Sequence, residues 1–212
     1  MPDAILRLIT DRRDIGVHSG MIGDSVVDLI ERGVITNTHK GIDPGVSITG
    51  ALFGTQKLYR FAHDNPALRL CPTRYTHDIR TIMQVKNLVS LNSALEVDLT
   101  GQVNAEAIGA NHIGAVGGQV DFVRAAVLSG GVSIIALPAL GKGDASRIVA
   151  SLSGPVTTAR SDVDLVATEY GVASLKGRSL RERVRAMVAI AAPQHRETLL
   201  REARQTWSDL RT

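Results

Sequence analysis

The sequence predicts an α/β fold in which an open, layered sheet is flanked by helices. Strand-like apolar runs at 133–137 and 164–168 alternate with helix-period stretches at 24–32, 119–128 and 179–191. The chain has 212 residues, of which 44% are hydrophobic, so it can bury a sizeable core. No repeat, low-complexity tract or linker interrupts this alternation.

The two ends of the chain are predicted to be helical. Near the start, Ile5, Leu6, Leu8 and Ile9 give one apolar face, which would pack on this domain or on one outside these residues. Near the end, Pro193 breaks the helix at 179–191. A last helix is then expected through Leu199, Leu200 and Trp207.

The segment 95–100 alternates apolar and polar residues with the two-residue period of a half-buried strand. Its polar members are Glu96, Asp98 and Thr100. Side chains two residues apart on a strand lie about 7 Å apart on one face, so Glu96 and Asp98 are expected to line one cleft. The competing interpretation is an ordinary edge strand whose polar face meets water.

The run 109–122 packs several glycines together and then opens the helical stretch 119–128. A helix N-terminus presents free backbone N–H groups and the positive end of the helix dipole, which suit a phosphate, a carboxylate or a developing oxyanion. Gly117, Gly118 and Gln119 lie at this junction. A plain turn between strand and helix accounts for the pattern equally well.

Composition argues against several classes of function. Aromatic residues make up 3% of the chain and the net charge is only +3, which disfavours a nucleic-acid-binding surface. The histidines show no paired metal-ligand spacing, so no metal site is expected. The single cysteine, Cys71, suits a reducing, cytoplasmic compartment, and we expect neither a membrane span nor a signal peptide at Met1.

The segments 92–104 and 109–122 together resemble the acetyl-CoA hydrolase/transferase family, which includes 4-hydroxybutyrate CoA-transferase-like acyl-CoA:carboxylate CoA-transferases. Further stretches resemble the same family nearly end to end: IGVHS at 15–19, VVDL at 26–29, GVITN at 33–37, YTHD at 75–78, GPVTT at 154–158, DVDLVATEYGVA at 162–173 and SLRER at 179–183. Family members are about twice as long and have two α/β domains. From this resemblance, residues 1–212 are expected to form a CoA-transferase-like C-terminal catalytic domain.

The resemblance implies a CoA-transferase that acts on acyl-CoA and small carboxylates without a cofactor beyond the CoA substrate. Glu96 would be the nucleophile and would carry a glutamyl-CoA thioester, while the loop at Gly117, Gly118 and Gln119 would bind an oxyanion or CoA. Lys142, Arg147 and Lys176 would be cationic partners of the CoA phosphates. The C-terminal arginines, interspersed with glutamates, are typical of a solvated helix face.

Other roles stay open on the sequence alone. The chain is expected to be a homo-oligomer or to form a complex with a missing N-terminal half. Acetyl-CoA hydrolysis and an inactive CoA-binding half that needs a separate N-terminal partner are the alternatives to transfer. His77 and His112 are candidate polar pocket residues or structural histidines. Glu169 is the rival acidic residue, which would order an active-site wall or cap a turn.

Overall fold

The computed structural model describes residues 2–207, and it confirms a mixed α/β fold with open sheets and flanking helices. The chain divides into two compact units. The first comprises the residues up to Leu88 together with 124–131, and the second comprises 89–123 and the residues from Val132 onward.

The first unit is built on a parallel three-stranded sheet in the order β1-β2-β3. Its elements are α1 (Pro2–Leu6), β1 (His18–Ile22), α2 (Asp24–Glu31), β2 (Ser47–Leu52), α3 (Gln56–Ala62), β3 (Leu68–Leu70), α4 (Thr73–Thr76) and α5 (Ile79–Ile82). Each strand is followed by a helix before the next strand begins, as parallel pairing requires.

The apolar pattern of the first unit predicts helix α2 correctly and helix α1 only in part. The stretch 24–32 forms α2, which buries Val26, Val27 and Leu29 in the core. The predicted N-terminal helix is shorter than expected, because α1 ends at Leu6 and Leu8 is 78% exposed. Leu6 and Ile9 nevertheless pack against the core cluster of this unit.

Lys40 is an unusual charged residue in the first unit, because only 3% of it is exposed. Its amine donates hydrogen bonds to the carbonyl oxygens of Val17, at 3.0 Å, and of Val46. The stem of Lys40 lies where a Cβ on Gly16 would come within 2.9 Å, so a side chain at Gly16 would displace it. Burial lowers the pKa of Lys40 from 10.5 to about 8.

The second unit contains two sheets and a short hairpin. The sheet orders are β12-β11-β9-β4 and β10-β5-β6, and β7 pairs with β8. The elements are β4 (Val89–Ser93), β5 (Glu96–Asp98), β6 (Val103–Asn104), β7 (Ala107–Ile108), β8 (Asn111–His112), α6 (Gln119–Leu128), β9 (Val132–Ala136), a 3₁₀ turn (Lys142–Asp144), β10 (Ile148–Val149), β11 (Leu165–Thr168), β12 (Gly171–Ser174), α7 (Leu180–Ile190) and α8 (Pro193–Thr206). Of α6, only the residues up to Val123 are assigned to this unit, and those from Arg124 are assigned to the first.

The predicted elements of this unit are confirmed to within a residue or so. The runs 133–137 and 164–168 form β9 and β11, which pair in parallel, and 119–128 forms α6. Helix α7 begins at a capping box, in which the Ser179 hydroxyl accepts from the Glu182 amide and the Glu182 carboxylate accepts from the Ser179 amide. Pro193 lies in the first turn of α8, where its missing N–H carries no penalty.

The core of the second unit lies where α7 and α8 pack on the strands. The helices contribute residues such as Val184, Met187 and Leu199, and the strands contribute Ile135 and Val166. The longest described helix, α8, has 14 residues. In the part of the chain that the structure describes, no helix is long and apolar enough to cross a membrane.

We expect the free energy of unfolding to rise by about 1–2 kcal/mol between about pH 8 and pH 10, because the unfolded chain keeps the Lys40 proton that the folded chain has lost. Tyr75, whose pKa is raised to about 12 by its hydrogen bond to Asp43, acts in the opposite sense only above that window. Urea denaturation at several pH values measures the slope. Lys40→Met should remove it, and an equal slope in the variant would contradict this assignment.

Candidate active site

The segment 95–100 is buried on both faces, which corrects the prediction of a half-buried strand. Val97 and Leu99 are fully buried, but Glu96 is only 6% exposed and Asp98 only 3%. The regular strand β5 covers Glu96–Asp98 and lies between β10 and β6. The alternation therefore separates an apolar face from a buried polar face.

Asp98 closes the turn that follows β5. Its Oδ1 accepts from the Thr100 amide at 2.8 Å, the Thr100 hydroxyl at 2.7 Å and the Gln102 amide at 2.9 Å. Its Oδ2 accepts from Gln102 Nε2 at 2.8 Å. Gly101, with φ of +95°, makes this tight turn possible. Asp98 thus organises the β5–β6 turn and does not line a cleft beside Glu96.

The Glu96 carboxylate accepts hydrogen bonds from Asn104, its partner on the neighbouring strand β6, and from Ser153, which is distant in sequence. Its Oε1 accepts from the Ser153 amide at 2.6 Å, the Ser153 hydroxyl at 3.0 Å and Asn104 Nδ2 at 2.9 Å. Its Oε2 lies 3.1 Å from the Ser153 hydroxyl. Hydrogen bonds to a carboxylate are strong, so these donors hold the side chain in one position. Ser153 itself is exposed, which places Glu96 one residue below the surface.

Asn104 extends this network into the next loop. Its Nδ2 also donates to the Ala107 carbonyl, while its Oδ1 accepts from the Glu106 amide at 3.0 Å and the Ala107 amide at 3.2 Å. Gly154 permits the close approach, because a Cβ there would lie 2.7 Å from Asn104 Nδ2. The family-like stretch 154–158 therefore begins at a position where a side chain would push Asn104 away from Glu96.

Ser153 also connects Glu96 to the β7–β8 hairpin. The Gly109 amide donates to the Ser153 hydroxyl at 3.3 Å, and Gly109 has a positive φ of +56° at the hairpin turn. A single hydroxyl therefore donates to the buried carboxylate and accepts from the turn. Movement of the hairpin turn would change the environment of Glu96.

The glycine-rich loop is anchored at both ends near Glu96. Its start is held by the Glu106 carbonyl, which accepts from the amides of Ile113 at 2.8 Å and Gly114 at 2.9 Å. Its end is held by Gln119, whose Nε2 donates at 3.2 Å to the Ser93 carbonyl, three residues before Glu96 in the chain. The structure thus ties the predicted anion-binding loop to the strand that leads into Glu96.

Gly117 and Gly118 lead directly into α6, and Gly117 has a φ of +55°. Gln119 is 7% exposed, and its Oε1 is buried without a hydrogen-bond partner among the described residues. The first four amides of a helix have no acceptor within that helix, so this end of α6 presents donors for an anion. A buried, unpaired carbonyl oxygen beside them is an acceptor for an N–H or O–H group.

The three basic residues predicted for CoA phosphates lie in different settings. Lys142 is exposed on the 3₁₀ turn. The Arg147 carbonyl accepts from the Val97 amide at 2.9 Å beside Glu96, and Arg147 Nε is buried without a partner among the described residues. Lys176 instead faces Asp164 at 3.7 Å. Arg147 is therefore the basic residue whose backbone the structure places next to β5.

The other polar candidates have structural contacts. Glu169 Oε2 accepts from the Ala139 amide at 2.8 Å, the contact expected of a residue that holds a turn. His77 Nδ1 is 2.8 Å from the Thr76 hydroxyl, in the first unit. His112 is exposed on β8.

Sequence reasoning missed Ser153 and did not single out Asn104 or Glu106. Ser153 lies 57 residues from Glu96, so no local spacing connects them. The Glu106 carboxylate accepts from the Thr157 hydroxyl at 2.8 Å, and that hydroxyl accepts from the Ala105 amide at 2.9 Å. Polar residues flank the glycines at 101, 109 and 154, and this pattern indicates tight turns that carry polar side chains. The pattern does not specify which residues these side chains bind.

The chain matches the family model described as the acetyl-CoA hydrolase/transferase C-terminal domain over residues 54–203. It is 48% identical to 4-hydroxybutyrate coenzyme A transferase of Clostridium kluyveri, over 95% of this chain and 48% of that protein. It is 38% identical to butyryl-CoA:acetate CoA-transferase of Anaerostipes caccae, over 98% of this chain and 49% of that protein. The chain spans about half the length of these relatives.

Solved structures agree with the sequence matches. RipA from Yersinia pestis superposes with a TM-score of 0.91 at 40% identity, covering 97% of this chain and 47% of that one. A 4-hydroxybutyrate CoA-transferase from Porphyromonas gingivalis gives a TM-score of 0.84 at 40% identity, covering 97% of this chain and 49% of that one. The fold described above is therefore shared by CoA-transferases.

We expect Asp98→Ala to lower the free energy of unfolding by about 2–4 kcal/mol, because it leaves the buried donors of Thr100 and Gln102 without an acceptor. Asp98→Asn keeps the oxygen that accepts three of the four bonds, so its loss should stay below about 1.5 kcal/mol. Urea denaturation of both variants measures the difference. Equal losses would show that charge, and not the acceptor oxygen, supports the turn.

Proposed function

Because the chain belongs to the acetyl-CoA hydrolase/transferase family, we propose that it forms the C-terminal half of an acyl-CoA:carboxylate CoA-transferase. The observation that carries this proposal is the 48% identity to a 4-hydroxybutyrate coenzyme A transferase over nearly the whole chain. Because the chain spans about half of that relative, the proposal includes a second half, on the same polypeptide or on another. The substrates would be acyl-CoA and a small carboxylate of the 4-hydroxybutyrate, butyrate or acetate type, with no cofactor beyond CoA.

The glycine-rich loop and the start of α6 are the proposed contact for an anionic part of the reaction. Backbone N–H groups at Gly118 and Gln119 point out of the first turn of α6, where they would stabilise a phosphate or a tetrahedral oxyanion. The unpaired Gln119 Oε1 would accept a hydrogen bond from an amide N–H of the CoA pantetheine arm. Lys142 and Arg147 are the proposed cationic contacts for CoA phosphates, whereas Lys176 already faces Asp164.

Glu96 is the proposed nucleophile. A carboxylate oxygen would attack the thioester carbonyl carbon, and cleavage of the C–S bond would release the CoA thiolate and leave an acyl-glutamyl anhydride. The thiolate would then attack the glutamyl carbonyl carbon, which releases the first carboxylate and forms a glutamyl-CoA thioester. The same two exchanges in reverse would transfer CoA to the second carboxylate.

The geometry imposes one condition on this role. In the described conformation Glu96 is 6% exposed, and the hydroxyl of the exposed Ser153 contacts both of its carboxylate oxygens. Among the described residues, Oε1 accepts from the Ser153 amide and from Asn104 Nδ2, and the single Ser153 hydroxyl proton is shared between Oε1 at 3.0 Å and Oε2 at 3.1 Å. Attack on a thioester therefore requires Ser153 to move away from Oε2. We propose that the second half, the acyl-CoA or both displace the Ser153 segment.

A second candidate function follows from the same contacts. The Glu96 carboxylate is hydrogen-bonded to a main-chain amide, a hydroxyl and a buried asparagine. Such contacts are also typical of a structural carboxylate that holds loops together. In that case the chain would be a CoA-binding half without turnover of its own. Hydrolysis is the nearest alternative reaction, since one more distant relative, at 25% identity, is an acetyl-CoA hydrolase of Kluyveromyces lactis.

The function is tested by incubating the chain with acetyl-CoA and a panel of short carboxylates, alone and fused behind the preceding half of the Clostridium kluyveri transferase. Chromatography follows acyl-CoA products and free CoA. New acyl-CoA species that depend on the added carboxylate are expected from the fusion. Free CoA without acceptor dependence would identify a hydrolase, and a folded fusion that binds CoA but forms neither product would support the inactive half.

Substitution of Glu96 separates the two roles of this residue. In the fusion, Glu96→Gln should lower exchange by about 10³-fold or more if its carboxylate is the nucleophile. Ser153→Ala removes the hydroxyl that covers Oε2 and should leave exchange within about tenfold of the parent, because the nucleophile is retained. Glu169→Gln is the matched carboxylate control and should retain exchange.

The result that contradicts nucleophilic catalysis is full exchange by a folded Glu96→Gln variant. Thermal denaturation of the same variants measures how much Glu96 and Ser153 contribute to stability. If Glu96→Gln and Ser153→Ala lower stability alike and their effects are not additive, the pair acts as one hydrogen-bonded unit.

A further inference from the structure

A cavity of about 460 Å³ opens on the surface of the first unit. The loop between α2 and β2 forms one wall, and the segment that leads into β4 forms the other. The lining residues are Thr38, His39, Gly41, Pro44, Lys86 and Asn87. Two of them carry basic side chains and none carries a carboxylate. The volume lies within the range of small-molecule sites, which is about 300–1,000 Å³.

The two walls of this cavity are joined at Lys86. Its amide donates to the Lys40 carbonyl at 2.9 Å. A Cβ at Gly41 would lie 3.0 Å from Lys86 Cγ and 2.6 Å from the Gln84 carbonyl oxygen, so only glycine lets the two segments approach this closely. The base of the Lys86 side chain is therefore held against the loop that forms the opposite wall.

This loop leaves several backbone donors without an acceptor. Gly41, Asp43 and Gly45 have φ of +93°, +47° and +76°, and the residues between them do not have positive φ. Such an alternation directs successive backbone N–H groups into a concavity that suits an anion. Among the described residues, no acceptor is hydrogen-bonded to the amides from His39 to Asp43.

The charges around the cavity also favour an anion. Lys86 forms no ion pair within residues 2–207. The carboxylate of Asp43 is already bound by the Arg69 guanidinium at 3.1 Å and the Tyr75 hydroxyl at 2.6 Å. Lys40 lies within the same loop, and its buried ammonium is bonded to two carbonyl oxygens. Its pKa of about 8 leaves it charged at pH 7, so it adds positive charge behind the wall.

We propose that this cavity binds a phosphate dianion, either as inorganic phosphate or as the terminal group of a small phosphomonoester. The free amides of the loop, the Lys86 ammonium and Asn87 Nδ2 are the donors for its oxygens. One phosphate group fills only part of the cavity, so the remainder accommodates a short organic group. The lining has no Phe, Tyr or Trp on which a nucleobase would stack. Neither Glu96 nor a second half of the protein enters this proposal.

The test follows the backbone amide shifts of the ¹⁵N-labelled chain by NMR at pH 7 and constant ionic strength. Ribose 5-phosphate and inorganic phosphate are titrated separately, and ribose is the uncharged control. Asn87→Asp places a carboxylate of the same size in the lining, and aspartate tolerates the φ of +53° at this position. Lys86→Gln removes the cation but keeps most of the side-chain stem.

Lys57→Gln is the matched control for the loss of one positive charge. Lys57 lies on α3 outside the cavity lining, where it pairs with Asp28 and Glu31. An unchanged spectrum outside the two walls shows that each variant is folded.

We expect ribose 5-phosphate to shift the amides from His39 to Asp43 saturably, and ribose to shift none of them. The Kd should rise by at least about fivefold in Lys86→Gln and about tenfold in Asn87→Asp, but by less than about twofold in Lys57→Gln. Equal affinity for inorganic phosphate would identify the free ion as the ligand, and tighter binding of ribose 5-phosphate would identify a phosphomonoester.

Shifts that rise linearly without saturation would overturn the proposal. Saturable shifts centred on Gly118 and Gln119 instead of the loop would also overturn it. So would an unchanged Kd in a folded Asn87→Asp variant, because a carboxylate in the lining must repel a bound dianion.

Discussion

The second unit depends on the hydrogen bonds to the buried Glu96 carboxylate. Ser153 and Asn104 bring three segments of the chain to this one side chain, and each segment continues into a loop of the candidate site. Ser153 leads to the hairpin turn at Gly109, and Asn104 leads to Glu106, whose carbonyl anchors the glycine-rich loop. A buried carboxylate without these donors would carry a large desolvation cost, so the loops and the carboxylate stabilise each other.

The same hydrogen bonds explain how a transferase half would keep its nucleophile unreactive. Covalent catalysis by a carboxylate depends on placing the oxygen against the thioester, because a free carboxylate is a weak nucleophile. In this chain the exposed Ser153 contacts Oε2 of Glu96 at 3.1 Å through its hydroxyl. In the proposed mechanism, a substrate or a second half would displace Ser153 from this oxygen. Exclusion of water from the intermediates would then be a task of the second half.

The sequence predicts the regular elements better than the chemistry of individual carboxylates. Helix α6 and strands β9 and β11 follow from local periodicity, since burial repeats with the period of each element. The alternation at 95–100 identifies β5 but wrongly suggests an open polar face. Whether that face meets solvent depends on Asn104 and on Ser153, and Ser153 lies 57 residues from Glu96, so no local pattern connects the two. The family resemblance locates the CoA-transferase fold, whereas the hydrogen bonds of Glu96 and Asp98 required the structure.

Covalent trapping tests the role of Glu96 most directly. Acyl-CoA is added to the fusion, the thioester is reduced with borohydride, and peptide mass spectrometry locates the modified residue. The account predicts reduction of a glutamyl-CoA thioester on the peptide that contains Glu96, with no such product from Glu96→Gln. Modification of another carboxylate, such as Glu106 or Glu169, in a fusion that exchanges CoA would contradict it.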